Sequence, residues 1–277
     1  MLRDSGPNVH SRALRTTINR LKSAISKFLR WLINTVSNLT KRNNEKEFLT
    51  LLCEIQTALH TGLKERKAKS ARMAEEYLYQ QSDYLSQLLD GFIDLTKARN
   101  FRAARVIIRP CLEAVFKMQA VAKKPSYLYN VVQTEHEGDV KLVGIAVLNG
   151  EFSPDTKDPV HPEWEKAKTL FKQQFPADQL TEHAASAYDC AQTAGLIALY
   201  DFQYRWYCNS AHSALRASSA DIEVSRELDN ETMVRCGFVA LGALGTIGVP
   251  ILGFAQLVNR FKNLPTKGAQ QDCAPTV

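Results

Sequence analysis

No two of the six cysteines stand at the spacing of a zinc site or a redox pair: Cys53, Cys111, Cys190, Cys208, Cys236 and Cys273 are scattered along 277 residues. That excludes a disulfide framework and the common zinc folds, and it suits a reduced, cytoplasmic protein. The first nineteen residues hold no apolar run before a small-residue cleavage site, so no secretory signal is expected. No glycine-rich phosphate loop follows a strand and no Gly-x-Ser-x-Gly elbow occurs, which removes the commonest nucleotide-binding and serine-hydrolase signatures. Proline and glycine are sparse outside two regions, and no internal repeat is visible. His136, with Glu135, Glu137 and Asp139 beside it, is too thin a ligand set for a metal. His161 and His183 have no partners in sequence, so neither metal nor cofactor is expected.

What the chain does have is helical periodicity and an uneven charge. Residues 1–47 carry ten Lys/Arg against Asp4, Glu45 and Glu47, a net of +7, while the chain total is +6, so the remainder carries −1. Within 1–44, Leu14, Ile18, Leu21, Ile25, Phe28, Leu32, Val36 and Leu39 form one apolar stripe, and Arg15, Arg20, Lys22, Lys27 and Arg30 cover the rest. This reads as a basic amphipathic helical arm. Its natural partners are RNA or an anionic membrane surface, and the alternative is a solvated helix face docked on the body of the protein.

The body, 45–262, is expected to be an all-α multi-helix bundle, with a polar tail over 263–277. Apolar spacing predicts helices over about 45–66, 70–97, 101–122, 162–174, 179–217 and 229–262. Residues 126–150 differ. Tyr127 to Val132 and Lys141 to Leu148 are rich in β-branched and aromatic residues around His136-Glu137-Gly138-Asp139, which predicts a small β-hairpin or extended insertion.

From Cys236 to Asn259 there is no charged residue. A helix of that length rises far enough to cross a hydrocarbon core of about 30 Å, so 236–258 is either a fully buried core helix or a membrane anchor.

Two helices carry the polar residues that could do chemistry. In the first, Arg105, Arg109, Glu113 and Lys117 recur every four residues on one face, and Pro110 frees the carbonyl of Val106. In the second, Asp201, Arg205, Cys208, Asn209 and His212 share one face, with Tyr200, Tyr204 and Tyr207 on the adjacent one. A histidine can serve as general acid or base and an arginine beside it can hold a phosphate; the bland alternative is a paired, buried polar network.

Both stretches resemble DUF5677, a largely bacterial family of helical proteins of unknown function. Arg109-Pro-Cys-Leu-Glu113 is similar to its Arg-x-x-x-Glu helix, and Tyr200-Asp-Phe-Gln-Tyr204 with His212 is similar to its tyrosine-rich helix ending in histidine. The similarity spans about residues 70–260. Cys208 stands where the family tends to carry a hydroxyl residue. A looser resemblance is to HEPN-class helical proteins, often tied to defence systems, whose mark is an arginine four to six residues before a histidine. Arg205 and His212, with six residues between them, satisfy it. The residue after that arginine is usually polar in the class, and here it is Trp206. That resemblance implies metal-independent cleavage of RNA, with His212 as base and Arg205 as phosphate clamp, frequently across a homodimer. Three function classes therefore stand side by side. One is a sensor, interaction or defence component built on Arg105, Arg109, Glu113, Tyr200, Asp201, Tyr204, Cys208 and Asn209. The second is a metal-independent ribonuclease, and the third is a membrane-associated protein anchored through 236–258.

Overall fold

The computed structural model describes residues 45–66, 72–148, 161–180, 183–212 and 219–264. The basic arm and the polar tail from 265 lie outside them, as do the side chains of Asn209 and His212. Among the described residues every regular element is helical. In chain order they are α1 (Glu45–Glu65), α2 (Met73–Lys97), α3 (Phe101–Lys123), α4 (Leu128–Leu148), α5 (His161–Gln174), α6 (Ala187–Ala194), α7 (Ile197–Leu199), a π turn (Tyr200–Tyr204), α8 (Arg205–His212), α9 (Ser219–Thr246) and α10 (Phe254–Lys262).

The long helix α9 is the axis of the bundle. Every residue from Asp229 to Gly245 is buried, so the uncharged part of that segment, from Cys236 on, is apolar on all sides because neighbours surround it. It packs on α1, α2 and α3. Gly237 lets α1 approach closely: a Cβ there would lie 2.5 Å from Cγ2 of Ile55. The expected helix over 229–262 does not run through. α9 stops at Thr246, and Gly248 and Gly253 take the left-handed backbone (φ 89° and 74°) around Pro250 before α10 begins. Among the described residues no helix is long and apolar enough to cross a membrane, which corrects the anchor reading of 236–258.

The expected β-hairpin is likewise corrected. Pro125 opens a short 3-10 turn (Pro125–Tyr127), and α4 then runs through the supposed turn at His136 to Asp139. Local β propensity is overridden by tertiary burial. Leu128, Tyr129 and Val131 sink into the core, with the Tyr129 ring 5.5 Å from Trp164 and 5.3 Å from Phe171 of α5. Asn130 Nδ2 donates to the carbonyl of His183 at 2.7 Å, and the amide of Ala185 donates to Thr134 Oγ1 at 2.6 Å, stitching α4 to the strap before α6. Gly138 lies on the exposed part of the helix, where its entropic cost is about 1 kcal/mol and is outweighed.

The single helix expected over 179–217 is broken. Ser186 and Asp189 form a capping box at the start of α6, and Gly195 closes it in the left-handed conformation (φ 80°). The chain re-enters a helix at Ile197 and widens into the π turn. One extra residue in that turn rotates everything after it by about 100° relative to an ideal α-helix.

Candidate functional site

α3 supplies one wall of the site. Asn100 caps it by accepting from the amide of Ala103, after Arg99 has turned the chain at φ 60°. The helix continues through Pro110 without ending. Its Arg105 is buried, while Arg109, one turn on, is half-buried.

The other wall is the segment from the π turn into α8. Its inward side carries Gln203, Tyr204 and Tyr207, all buried, and its outward side carries Asp201, Phe202, Arg205 and Trp206, all exposed. The structure thus sends Tyr204 and Arg205 to opposite sides of one helix. Cys208 is half-buried beside the Tyr204 hydroxyl.

Two polar nodes join the walls. In the deep one, Nε and Nη2 of Arg105 both donate to Oδ2 of Asp229 at 3.0 Å, and the Tyr207 hydroxyl donates to Oδ1 at 2.9 Å. Both carboxylate oxygens are therefore engaged, which is what a charge this deep requires. Burial still pushes the Asp229 carboxyl up to about 6, with Arg105 and the Tyr207 hydroxyl pulling the other way. The Tyr207 hydroxyl is held far above its ordinary range by the same burial and by the neighbouring carboxylate. Behind Asp229 lies a crevice of about 10 Å³, lined by Phe92, Thr96, Phe101, Ala104, Arg226 and Asn230, room for one water molecule.

The second node is half-open. Arg109 Nε donates to Oε1 of Glu113 at 3.1 Å, and the Tyr204 hydroxyl donates to the same oxygen at 2.7 Å. The Arg109 guanidinium lies 5.9 Å from the centre of the Tyr204 ring. The hydrogen bond to Glu113 raises the Arg109 pKa, and the Tyr204 hydroxyl is raised first by burial and then by its bond to Glu113. Around this node the rings of Phe116, Tyr200 and Tyr204 pack within 6.0 Å of one another, and Tyr188 sits edge-on to Tyr200 at 5.4 Å. On the outward side Arg205 Nε is 3.6 Å from Asp201 Oδ1, and its guanidinium is 5.8 Å from the Tyr200 ring.

The family model described as "Family of unknown function (DUF5677)" matches residues 77–231. The chain belongs to this family. The DUF5677 match runs from α2 to the first buried turn of α9, so it takes in all six residues of the two nodes, Arg105, Arg109, Glu113, Tyr204, Tyr207 and Asp229. No curated protein and no solved structure matches the chain.

Of the candidates from sequence, Arg109, Glu113, Tyr204 and Cys208 gather at the half-open node, with Tyr200 packed beside it. Arg105 goes to the deep node, and Asp201 and Arg205 go to the outward side. Asn209 and His212 belong to α8 by backbone, and their side chains lie outside the described residues. Among the described residues no group of three His, Cys, Asp or Glu side chains is placed to hold a metal ion. Sequence reasoning passed over Asp229. Little in the sequence sets it apart, because α9 also carries Asp221, Glu223, Arg226, Glu227, Glu231 and Arg235, and only packing shows which of these charges is sealed against Arg105.

Proposed function

We propose that the protein is a sensor or interaction module that recognises a polar ligand at the half-open node. The observation that carries this is the exposure of the Arg109–Glu113 pair. Each side chain keeps 35% of its surface, while both are fixed in place by their mutual bond and by Tyr204. A guanidinium and a carboxylate held side by side at the surface match a ligand group that offers both an acceptor and a donor, such as an amide or a nucleobase edge. The two deep hydrogen bonds of Arg105 lock α3 to α9 beneath it, so the node is presented on rigid elements. All five described cysteines are free, which supports work in a reducing compartment.

The test is a thermal-shift screen of nucleoside monophosphates and free amino acids against the wild type, Glu113→Gln and Tyr204→Phe. A compound that raises the wild-type melting temperature and loses its effect in both variants supports the reading. A screen with no shift, or shifts that persist in both variants, sinks it.

Metal-independent ribonuclease activity is the second reading, favoured by the exposure of Arg205, whose side chain keeps 65% of its surface and so can reach a phosphate. Incubation with mixed RNA in EDTA decides it: products with cyclic-phosphate ends, lost in Arg205→Ala and His212→Ala, support it, and intact RNA removes it. The +7 segment at 1–47 supports a further anionic partner, RNA or an acidic membrane surface, with affinity that falls steeply as salt rises.

A further inference from the structure

The outward side of the π turn and α8 is made of four residues in two rows. Asp201 and Arg205 stand one turn apart with side chains 49% and 65% exposed. Phe202 and Trp206 stand one turn apart beside them, 59% and 37% exposed. Exposed aromatic rings flanking an arginine are the composition of interface hot spots, and rings this open lose solvent contact favourably when covered. The Asp201–Arg205 contact is loose, at 3.6 Å an ion pair but not a hydrogen bond, so covering the strip can tighten the charges as well as the rings.

We propose that this strip is a self-complementary interface through which two copies of the chain pair about a two-fold axis. The charges and the rings choose the occupant. In an isologous contact each residue of one copy meets a different residue of the other, so a surface binds itself only if it carries both halves of each match. Here one helix face holds both the anion and the cation and both rings. A partner helix running antiparallel, with the axis near Gln203, sets each Arg205 against the partner's Asp201. The same placement sets each Phe202 near the partner's Trp206, offset by about 3 Å, two residues of helical rise. A parallel arrangement would instead oppose Arg205 to its own copy and is disfavoured by like charge.

The strip is also held firmly from behind. Tyr204 and Tyr207, on the opposite side of the same helix, are bonded to Glu113 and Asp229, and the Trp206 ring lies 5.8 Å from the Arg105 guanidinium and 5.4 Å from the Tyr207 ring. Little ordering cost remains to be met on association. The pairing goes beyond the ligand reading above, because it uses the face turned away from Tyr204 and leaves the half-open node uncovered.

Sedimentation equilibrium on the full chain tests it. The wild type is expected to be a dimer. Arg205→Asp and Asp201→Arg each place like charges across the axis and should weaken dimerisation at least tenfold. An equimolar mixture of those two variants should restore the dimer, because each contact then opposes unlike charges again. Phe202→Ala and Trp206→Ala should weaken it as well, with unchanged far-ultraviolet circular dichroism. A wild type that stays monomeric at high micromolar concentration overturns the proposal. So does a dimer insensitive to both charge reversals, or a mixture that associates no better than either variant alone.

Discussion

Arg105 and Asp229 meet across 124 residues of sequence, with two guanidinium nitrogens on one carboxylate oxygen, both at 3.0 Å and both side chains nearly sealed from solvent. Tyr207 closes the triad on the other oxygen. Three helices, α3, α8 and α9, are thereby pinned at one point directly beneath the half-open node.

Breaking this pair should be far costlier than replacing it. Arg105→Ala strands a buried carboxylate and should reduce unfolding free energy by about 3–5 kcal/mol. The double replacement Arg105→Met with Asp229→Leu fills similar volume without charge and should cost markedly less. Urea denaturation of the two variants beside the wild type checks the ordering. An equal loss in both would show that packing, not the stranded charge, dominates.

The same triad sets a pH dependence. The folded Asp229 carboxyl is raised from 3.8 to about 6, chiefly by burial. The native state therefore holds the proton more readily than the unfolded chain between those values. Its contribution is fully present below about pH 4 and is lost as pH rises through about 6. Relative to Asp229→Asn, wild-type stability should fall by roughly 2–3 kcal/mol across that window and level off above pH 7. Urea titrations at a series of pH values measure the difference. A rise with pH instead would mean that Arg105 outweighs burial.

Tyr204 and Glu113 should be coupled energetically as well as geometrically. The hydroxyl donates to a charged acceptor at 2.7 Å with Glu113 partly open, so the bond sits near the lower end of the range for charged partners, about 1.5 kcal/mol. A double-mutant cycle with Tyr204→Phe and Glu113→Gln isolates that term. Additive effects would show the contact to be geometric only.

The helical periods of α1, α2, α3 and α5 were legible because each has one apolar stripe facing a neighbour. The two charged faces were legible for the same reason, since Arg105, Arg109, Glu113 and Lys117 recur every four residues beside the apolar positions of their helix. The meeting of Arg105 with Asp229 was not, because pairing at that separation is decided by packing. The spacing places Tyr204 and Arg205 on adjacent faces, but which of the two turns inward was hidden, since a π turn changes helical phase without any proline or glycine to announce it. Residues 126–150 misled because Tyr127, Tyr129, Val131 and Val132 favour a strand locally, while burial against Trp164 and Phe171 rewards a helix at the start of that stretch.

The crossing of α1 and α9 supplies the sharpest test of the core. Gly237 belongs to the stretch of α9 in which every residue is buried, and a methyl there would lie 2.5 Å from Ile55 Cγ2 and 3.4 Å from Leu89 Cδ1. Ile55 is itself fully buried, so its branched side chain has no empty space to turn into. Gly237→Ala gains about 1 kcal/mol of helix propensity and loses more to overpacking, for a net destabilisation of about 1–2 kcal/mol. Ile55→Ala removes the Cγ2 methyl that the new Cβ would strike, so Gly237→Ala should cost less in that background than in the wild type. Thermal melts of the single and double variants decide it. A Gly237→Ala protein more stable than the wild type would mean that the two helices can separate freely, which the continuous burial from Asp229 to Gly245 argues against.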